Sequence, residues 1–319
     1  MAFSDEEVIR NQLLPYLAPR INRIISNLPS KYFHELEEIR LRFGQPLLIK
    51  VGEKDVAIDA RGNVSEKLER GYRIDDEDLY RTIASISDNS LYAYEEEIRR
   101  GFITLPGGHR VGLAGQVMMN GNQVGNIKSF SGIAFRVARE VKDCARQLMP
   151  YICKKSFSNP LNTILISPPR CGKTTILRDI ARILSDGNRS ADGCNVSIID
   201  ERSELAGCYR GIPQLDVGQR TDVLDSCPKA LGMIMAIRSL SPRVVITDEI
   251  GRKEDVDAIR ECVNAGVAVI TSIHAGSVQE LGKRPIFQEL LMAGSFKLGV
   301  VLSRRRGPGS VEEIIRWDE

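Results

Sequence analysis

The chain has 319 residues, 42% apolar and 27% charged, enough for two domains with their own cores and a composition that excludes disordered and fibrous classes. Its 44 basic and 42 acidic residues leave a formal charge of +2. That balance gives no strong signal for nucleic-acid binding.

The opening MAFSDEEVIRNQ has neither a basic n-region nor an apolar h-region, so no signal peptide is expected. No apolar run reaches the ~20 residues that cross a bilayer, so no transmembrane segment is expected and membrane association would come through a partner. Cysteines at 144, 153, 171, 194, 208, 227 and 262 lack C-x-x-C spacing and fit reduced thiols of a cytoplasmic protein.

Residues 4 to 28 carry helix-period apolar residues from Val8 to Leu28, with Ser4 and Glu7 forming a capping box and Pro15 and Pro19 splitting the helix. From Leu36 the pattern turns strand-like. Ile39, Leu41 and Phe43 alternate with Arg40 and Arg42, and a Gly-Gln-Pro turn leads to a second strand. Helices are expected over Asp75 to Ser87 and Ser90 to Arg100, then a glycine-punctuated meander of three or four strands from Phe102 to Val137. Residues 1 to 140 thus read as an α+β domain. Asp143 to Lys155 is expected to be a connecting helix, followed by a turn at 157 to 160.

Residues 141 to 319 alternate strand and helix signals, as a parallel α/β sheet requires. The β-branched run Thr163 to Ile166 precedes Ser-Pro-Pro-Arg-Cys-Gly-Lys-Thr, and helix-period residues Ile176, Leu177, Ile180, Ile183 and Leu184 follow it. Strand, loop and helix in that order make a phosphate-binding loop, with Ser167 at the position of its first glycine. Pro169, Arg170, Cys171, Gly172, Lys173, Thr174 and Thr175 would cradle the phosphates of ATP. Lys173 would reach the β/γ-phosphates and Thr174 would hold Mg²⁺.

Further along, strands are expected at Asn195 to Asp200, Arg243 to Thr247 and Val267 to Ile273, and helices at Lys229 to Leu240 and Glu254 to Ala265. The apolar Phe296 to Leu302 and Val311 to Trp317 segments flank an Arg-Arg-Arg-Gly-Pro-Gly turn in a closing hairpin. Val244 to Glu249 is an apolar strand ending in two carboxylates, about 75 residues after Lys173. Hydrolysis needs an anion for the magnesium shell and a group that orients water, and Asp248 and Glu249 suit those roles in that order. A second acidic strand end, Asp200-Glu201-Arg202, faces the same crevice, so Asp200 or Glu201 would sit near the γ-phosphate. His274 closes a third strand as a γ-phosphate sensor. Charge on the transferring group calls for arginine, with Arg202 and Arg220 as candidates beside Arg210 and Arg238, or Arg40, Arg42 and Arg136 from the first domain.

This ordered set of phosphate loop, acidic box, Walker B glutamate and histidine box resembles the secretion ATPases of type II and type IV secretion and pilus systems. IIDERSELAG, QLDVGQRTDVLDSCPKA, MAIRSLSP and ITDEIGRKED are more closely similar to the stage III sporulation AA family of endospore-forming bacteria. Asp248 stands where secretion ATPases have a small residue, and Gly251 where they have arginine. The resemblance implies a RecA-like P-loop ATPase domain behind a smaller α+β domain, a homo-hexamer using ATP and Mg²⁺, and membrane proteins of the sporulation channel as partners. It also implies a cytoplasmic protein, peripheral on the mother-cell side of the forespore membrane. A nucleic-acid-dependent RecA-like ATPase, its Arg304 to Arg306 cluster in a basic channel, and a nucleotide-binding scaffold with little turnover are the other readings.

Overall fold

The computed structural model describes residues 4–52, 54–153, 157, 159–188 and 191–317. The chain divides into two compact units, Met1–Arg139 and Glu140–Glu319.

In the first unit α1 (Asp5–Gln12) starts on the Ser4 and Glu7 capping box, and Pro19 opens α2 (Pro19–Ser26) in its first turn. After α3 (Lys31–Glu35) come β1 (Leu36–Arg42), β2 (Leu48–Val51), β3 (Lys54–Ile58) and β4 (Val64–Ser65). Helices α4 (Asp76–Ile86) and α5 (Glu95–Arg99) lead to β5 (Phe102–Thr104), β6 (Arg110–Asn120) and β7 (Gln123–Arg136). They form an antiparallel seven-stranded sheet ordered β4-β3-β2-β1-β7-β6-β5. Ile39, Leu41, Ile133 and Phe135 point into its core, while Arg40 and Arg42 lie on the opposite face, Arg40 bonded to Glu38.

The second unit begins without the expected long helix. A 3₁₀ turn at Arg146–Leu148 and the four-residue α6 (Met149–Ile152) stand over 143 to 153, and residues 154 and 155 lie outside the described residues. Two features prevent a continuous helix. Asp143 sits at φ +63° with its amide on Asp179, and Pro150 fits only the first turn of a helix.

From there the unit runs β8 (Thr163–Ser167), α7 (Lys173–Asp186), a small pairing of β9 (Gly187–Asn188) with β10 (Ala191–Asp192), β11 (Val196–Asp200) and β12 (Thr221–Asp225). Then come α8 (Lys229–Ser239), β13 (Val244–Thr247), α9 (Lys253–Asn264), β14 (Ala268–His274), α10 (Val278–Leu281), α11 (Pro285–Met292), β15 (Leu298–Ser303) and β16 (Ser310–Arg316). The sheet order is β12-β11-β13-β14-β8-β15-β16, parallel except for β16. Both faces are covered, which explains the unbroken apolar runs. On one face Leu165, Val196, Ile198, Val244 and Ile246 pack with α7 residues Ile176, Leu177 and Ile180. On the other, Ile164, Ile166, Ile199 and Val245 pack with Met233 of α8, Ile259 of α9 and Phe287 of α11. Strand β8 is therefore central, and its C-terminal end opens on the crevice where α/β sheets bind ligands.

Candidate active site

The loop from Pro168 to Gly172 turns directly from β8 into α7. Gly172 adopts φ +83°, and a Cβ there would stand 3.2 Å from the Gly309 nitrogen. Only glycine meets both conditions comfortably. Gly172→Ala is expected to cost about 1–2 kcal/mol of stability, read as a lowered midpoint in urea denaturation. Ser167, at the position of the usual first glycine, is fully buried, and its hydroxyl donates to the Pro168 carbonyl at 2.9 Å.

Lys173 opens α7 and folds back over the loop. Its ammonium donates to the Ser167 carbonyl (3.2 Å), the Ser167 hydroxyl (3.2 Å) and the Pro168 carbonyl (3.0 Å), and lies 2.9 Å from Nδ1 of His274. Burial pulls its pKa below the usual lysine range. Parallel register sets His274 of β14 opposite Ser167 of β8, which brings the imidazole to this loop.

Its other nitrogen, Nε2, contacts the Glu249 carboxylate. The tautomer protonated on Nε2 would let Nδ1 accept from Lys173 while Nε2 donates to Glu249. Glu249 follows β13 at φ +22°, its amide held by the Ser272 hydroxyl at 3.1 Å, and its second oxygen lies 3.6 Å from Arg202 Nη1. Lys173, His274, Glu249 and Arg202 thus form one connected line across the ends of β8, β14, β13 and β11. Thr174 and Thr175 follow on the first turn of α7, half-buried.

Asp248, the neighbour of Glu249, is 3% exposed, and its Oδ1 accepts no hydrogen bond among the described residues. Such an orphaned buried oxygen is chemically suited to a magnesium shell, which Asp248 could hold together with the Thr174 hydroxyl. Burial raises the Asp248 pKa from 3.8 to about 6, despite the nearby Lys229 ammonium. A carboxyl that protonates more readily when folded contributes stability that is full below its unfolded value and is lost as pH rises through the folded one. Asp248→Asn is therefore expected to stabilise the chain by about 1–3 kcal/mol near neutral pH and by almost nothing at about pH 4. Urea denaturation at the two pH values measures this.

Two sequence-derived assignments change. The Glu201 carboxylate is bonded to Lys229, whose ammonium also lies 3.8 Å from Asp248, and Asp200 is a fully buried brace whose oxygens accept from the Glu204 and Ala206 amides at 2.9 Å each. Arg220 precedes β12 at the N-terminal edge of the sheet, opposite the phosphate loop. Its guanidinium donates to the Ser185 carbonyl at 2.9 Å, so it does not serve the site of its own chain.

Other parts of the site escaped the sequence reading. The turn between β15 and β16 lies on the phosphate loop, with the Gly309 amide donating to the Cys171 carbonyl at 2.9 Å. Arg306, Pro308, Gly309 and Ser310 line a cavity of about 330 Å³ with Gly172, Thr175 and Ile176 of the loop and helix, and Val141, Cys144 and Gln147 of the preceding segment. The basic cluster that suggested nucleic acid therefore stands beside the candidate nucleotide site. Lys229 was the other omission. It reads in sequence as an ordinary charged residue at a helix start, yet it is buried against Glu201 and 3.8 Å from Asp248.

A family model described as Sporulation stage III, protein AA matches residues 7–318. The Stage III sporulation protein AA of Bacillus subtilis (strain 168) is 42% identical over 309 residues, covering 97% of this chain and 95% of that protein. Among solved structures, the ATPase DotB of Legionella pneumophila aligns with a TM-score of 0.54 at 15% identity, over 83% of this chain and 72% of that one. The pilus retraction motor PilT with bound ADP gives a TM-score of 0.54 at 12% identity, over 85% of this chain and 76% of that one. The fold is the RecA-like P-loop fold of those ATPases.

Proposed function

The chain belongs to the sporulation stage III protein AA family, and from that membership we propose that it is a Mg²⁺-dependent ATPase that energises the channel complex between mother cell and forespore. The single observation that carries the catalytic part is the line Lys173–His274–Glu249. It joins the group suited to grip phosphate oxygens to the group suited to orient water, through one imidazole. Phosphate oxygens would replace the loop carbonyls and the imidazole as acceptors for Lys173, and the backbone amides at the start of α7 would share that charge. Released from Lys173, His274 would donate to the γ-phosphate or to Glu249, so the state of one is felt at the other.

Magnesium, held by Thr174 and Asp248, would supply charge neutralisation at the β- and γ-phosphates. Glu249 would accept a hydrogen bond from the attacking water, and Arg202, 57% exposed beside it, is free to turn toward developing negative charge. The cavity under the β15–β16 turn is within the size range of small-molecule sites and adjoins Gly172 and Thr175, which suits it to the nucleoside.

We further propose a homo-hexameric ring that works at the membrane through membrane-protein partners, on the mother-cell side. One observation supports this: of the two structural relatives, one is named as a pilus retraction motor and the other as an ATPase; among the described residues no helix is long and apolar enough to cross a membrane, so contact with the membrane would run through those partners. The test is phosphate release by the purified chain, with its mass in solution measured with and without MgATP. Turnover that chelating Mg²⁺ abolishes, together with nucleotide-promoted rings, is the expected result. Binding of MgATP with no more phosphate release than a Lys173→Ala variant, even with candidate membrane partners added, would leave a nucleotide-binding scaffold instead.

A further inference from the structure

Lys229 stands where elementary electrostatics disfavours it. It is the first residue of α8, whose first turn has no acidic residue, and a helix N-terminus repels cations. It is also only 7% exposed, and burying an ammonium carries a further desolvation penalty. Its two neighbours offset this unequally. The ammonium is bonded to the Glu201 carboxylate, whereas Oδ1 of Asp248 lies 3.8 Å away, beyond hydrogen-bonding reach. Glu201 thus anchors the lysine one step short of Asp248. That oxygen keeps its lone pairs for another ligand while a positive charge already stands 3.8 Å away.

Resting on the reading of the site as one for MgATP, we propose that Lys229 is a resident countercharge for the magnesium carboxylate, and that it sets the free divalent-cation concentration at which the site accepts metal. The ammonium offsets part of the Asp248 charge in its buried position without occupying the coordinating oxygen. It also repels an incoming dication at close range, so the site resists metal until nucleotide phosphates add their own negative charge. Glu201 is the positioning residue of this device, because it holds the ammonium back from Asp248.

The test is a titration of the full chain with Mn²⁺ alone, without nucleotide, followed by electron paramagnetic resonance of the free ion. Lys229→Gln is expected to bind Mn²⁺ at least about tenfold more tightly than the parent, since one nearby positive charge is gone. Lys229→Arg should stay within about threefold of the parent. Glu201→Gln should bind more weakly, and the gain of Lys229→Gln should disappear when Asp248→Asn is added. Unchanged or weakened Mn²⁺ binding in Lys229→Gln overturns the proposal, as does loss of MgATP affinity in that variant at saturating Mg²⁺, which would make the lysine a phosphate ligand. Lys229→Met replaces it should Lys229→Gln fail to fold, and failure of both to fold would make the lysine a structural brace. MgATP binding by the parent, measured alongside, separates the two levels: a parent that binds no MgATP overturns the ATPase reading itself.

Discussion

Lys173→Ala is expected to weaken ATP binding about a hundredfold and to abolish measurable turnover. The ammonium is buried, its pKa is already lowered by desolvation, and its present partners are three acceptors of the loop and one imidazole nitrogen. A phosphate would therefore meet a desolvated, pre-aimed cation. Truncating one partner of such a buried charge pair typically costs about 2–5 kcal/mol, and each factor of ten corresponds to about 1.4 kcal/mol. Titration with a fluorescent ATP analogue measures the change. A dissociation constant within about threefold of the parent would remove Lys173 from the binding site. Circular dichroism is the control, since alanine also leaves the Ser167 and Pro168 carbonyls without their donor.

Glu249→Gln separates binding from chemistry. Glutamine keeps the size of the side chain and an oxygen able to accept from Nε2 of His274, but it loses the charge that orients and activates water. Loss of a positioned general base typically costs a factor of about 10²–10⁴, so turnover should fall by that order while ATP affinity stays within a few-fold. The paired measurement is single-turnover phosphate release beside equilibrium binding. Full turnover in Glu249→Gln would transfer the water-orienting role elsewhere.

The legible parts of the site were those written as contiguous patterns. β8, its loop and α7 announce themselves as a β-branched run, a Gly-Lys-Thr and a helix-period stretch, and Asp248, Glu249 and His274 each end an apolar strand. Parallel pairing then brings those strand ends together. Elements lacking such a pattern were missed. β12 is a half-exposed edge strand, Thr221–Asp225, whose TDVLD sequence has no apolar run. The helix expected over 143 to 155 ignored Pro150 and the pull of the Asp179 carboxylate, which takes the amides of both Asp143 and Ala145. Arg220 was misjudged, and Lys229 passed over, because a lone basic residue carries no sequence mark of which end of the sheet it lies at. That is decided by the register of β11, β12 and β13, which is tertiary information.

The bond from Gly309 to Cys171 has a consequence for the order in which the protein matures. The phosphate loop is made midway through translation, but the turn that seats it lies far downstream, and contacts between distant parts of a chain form late because closing a long loop costs entropy. A nascent chain that has emerged only as far as β15 therefore has its Gly-Lys-Thr segment but not the strap that holds it. If the loop binds ATP as proposed, its seated form is complete only once the turn before β16 has been made.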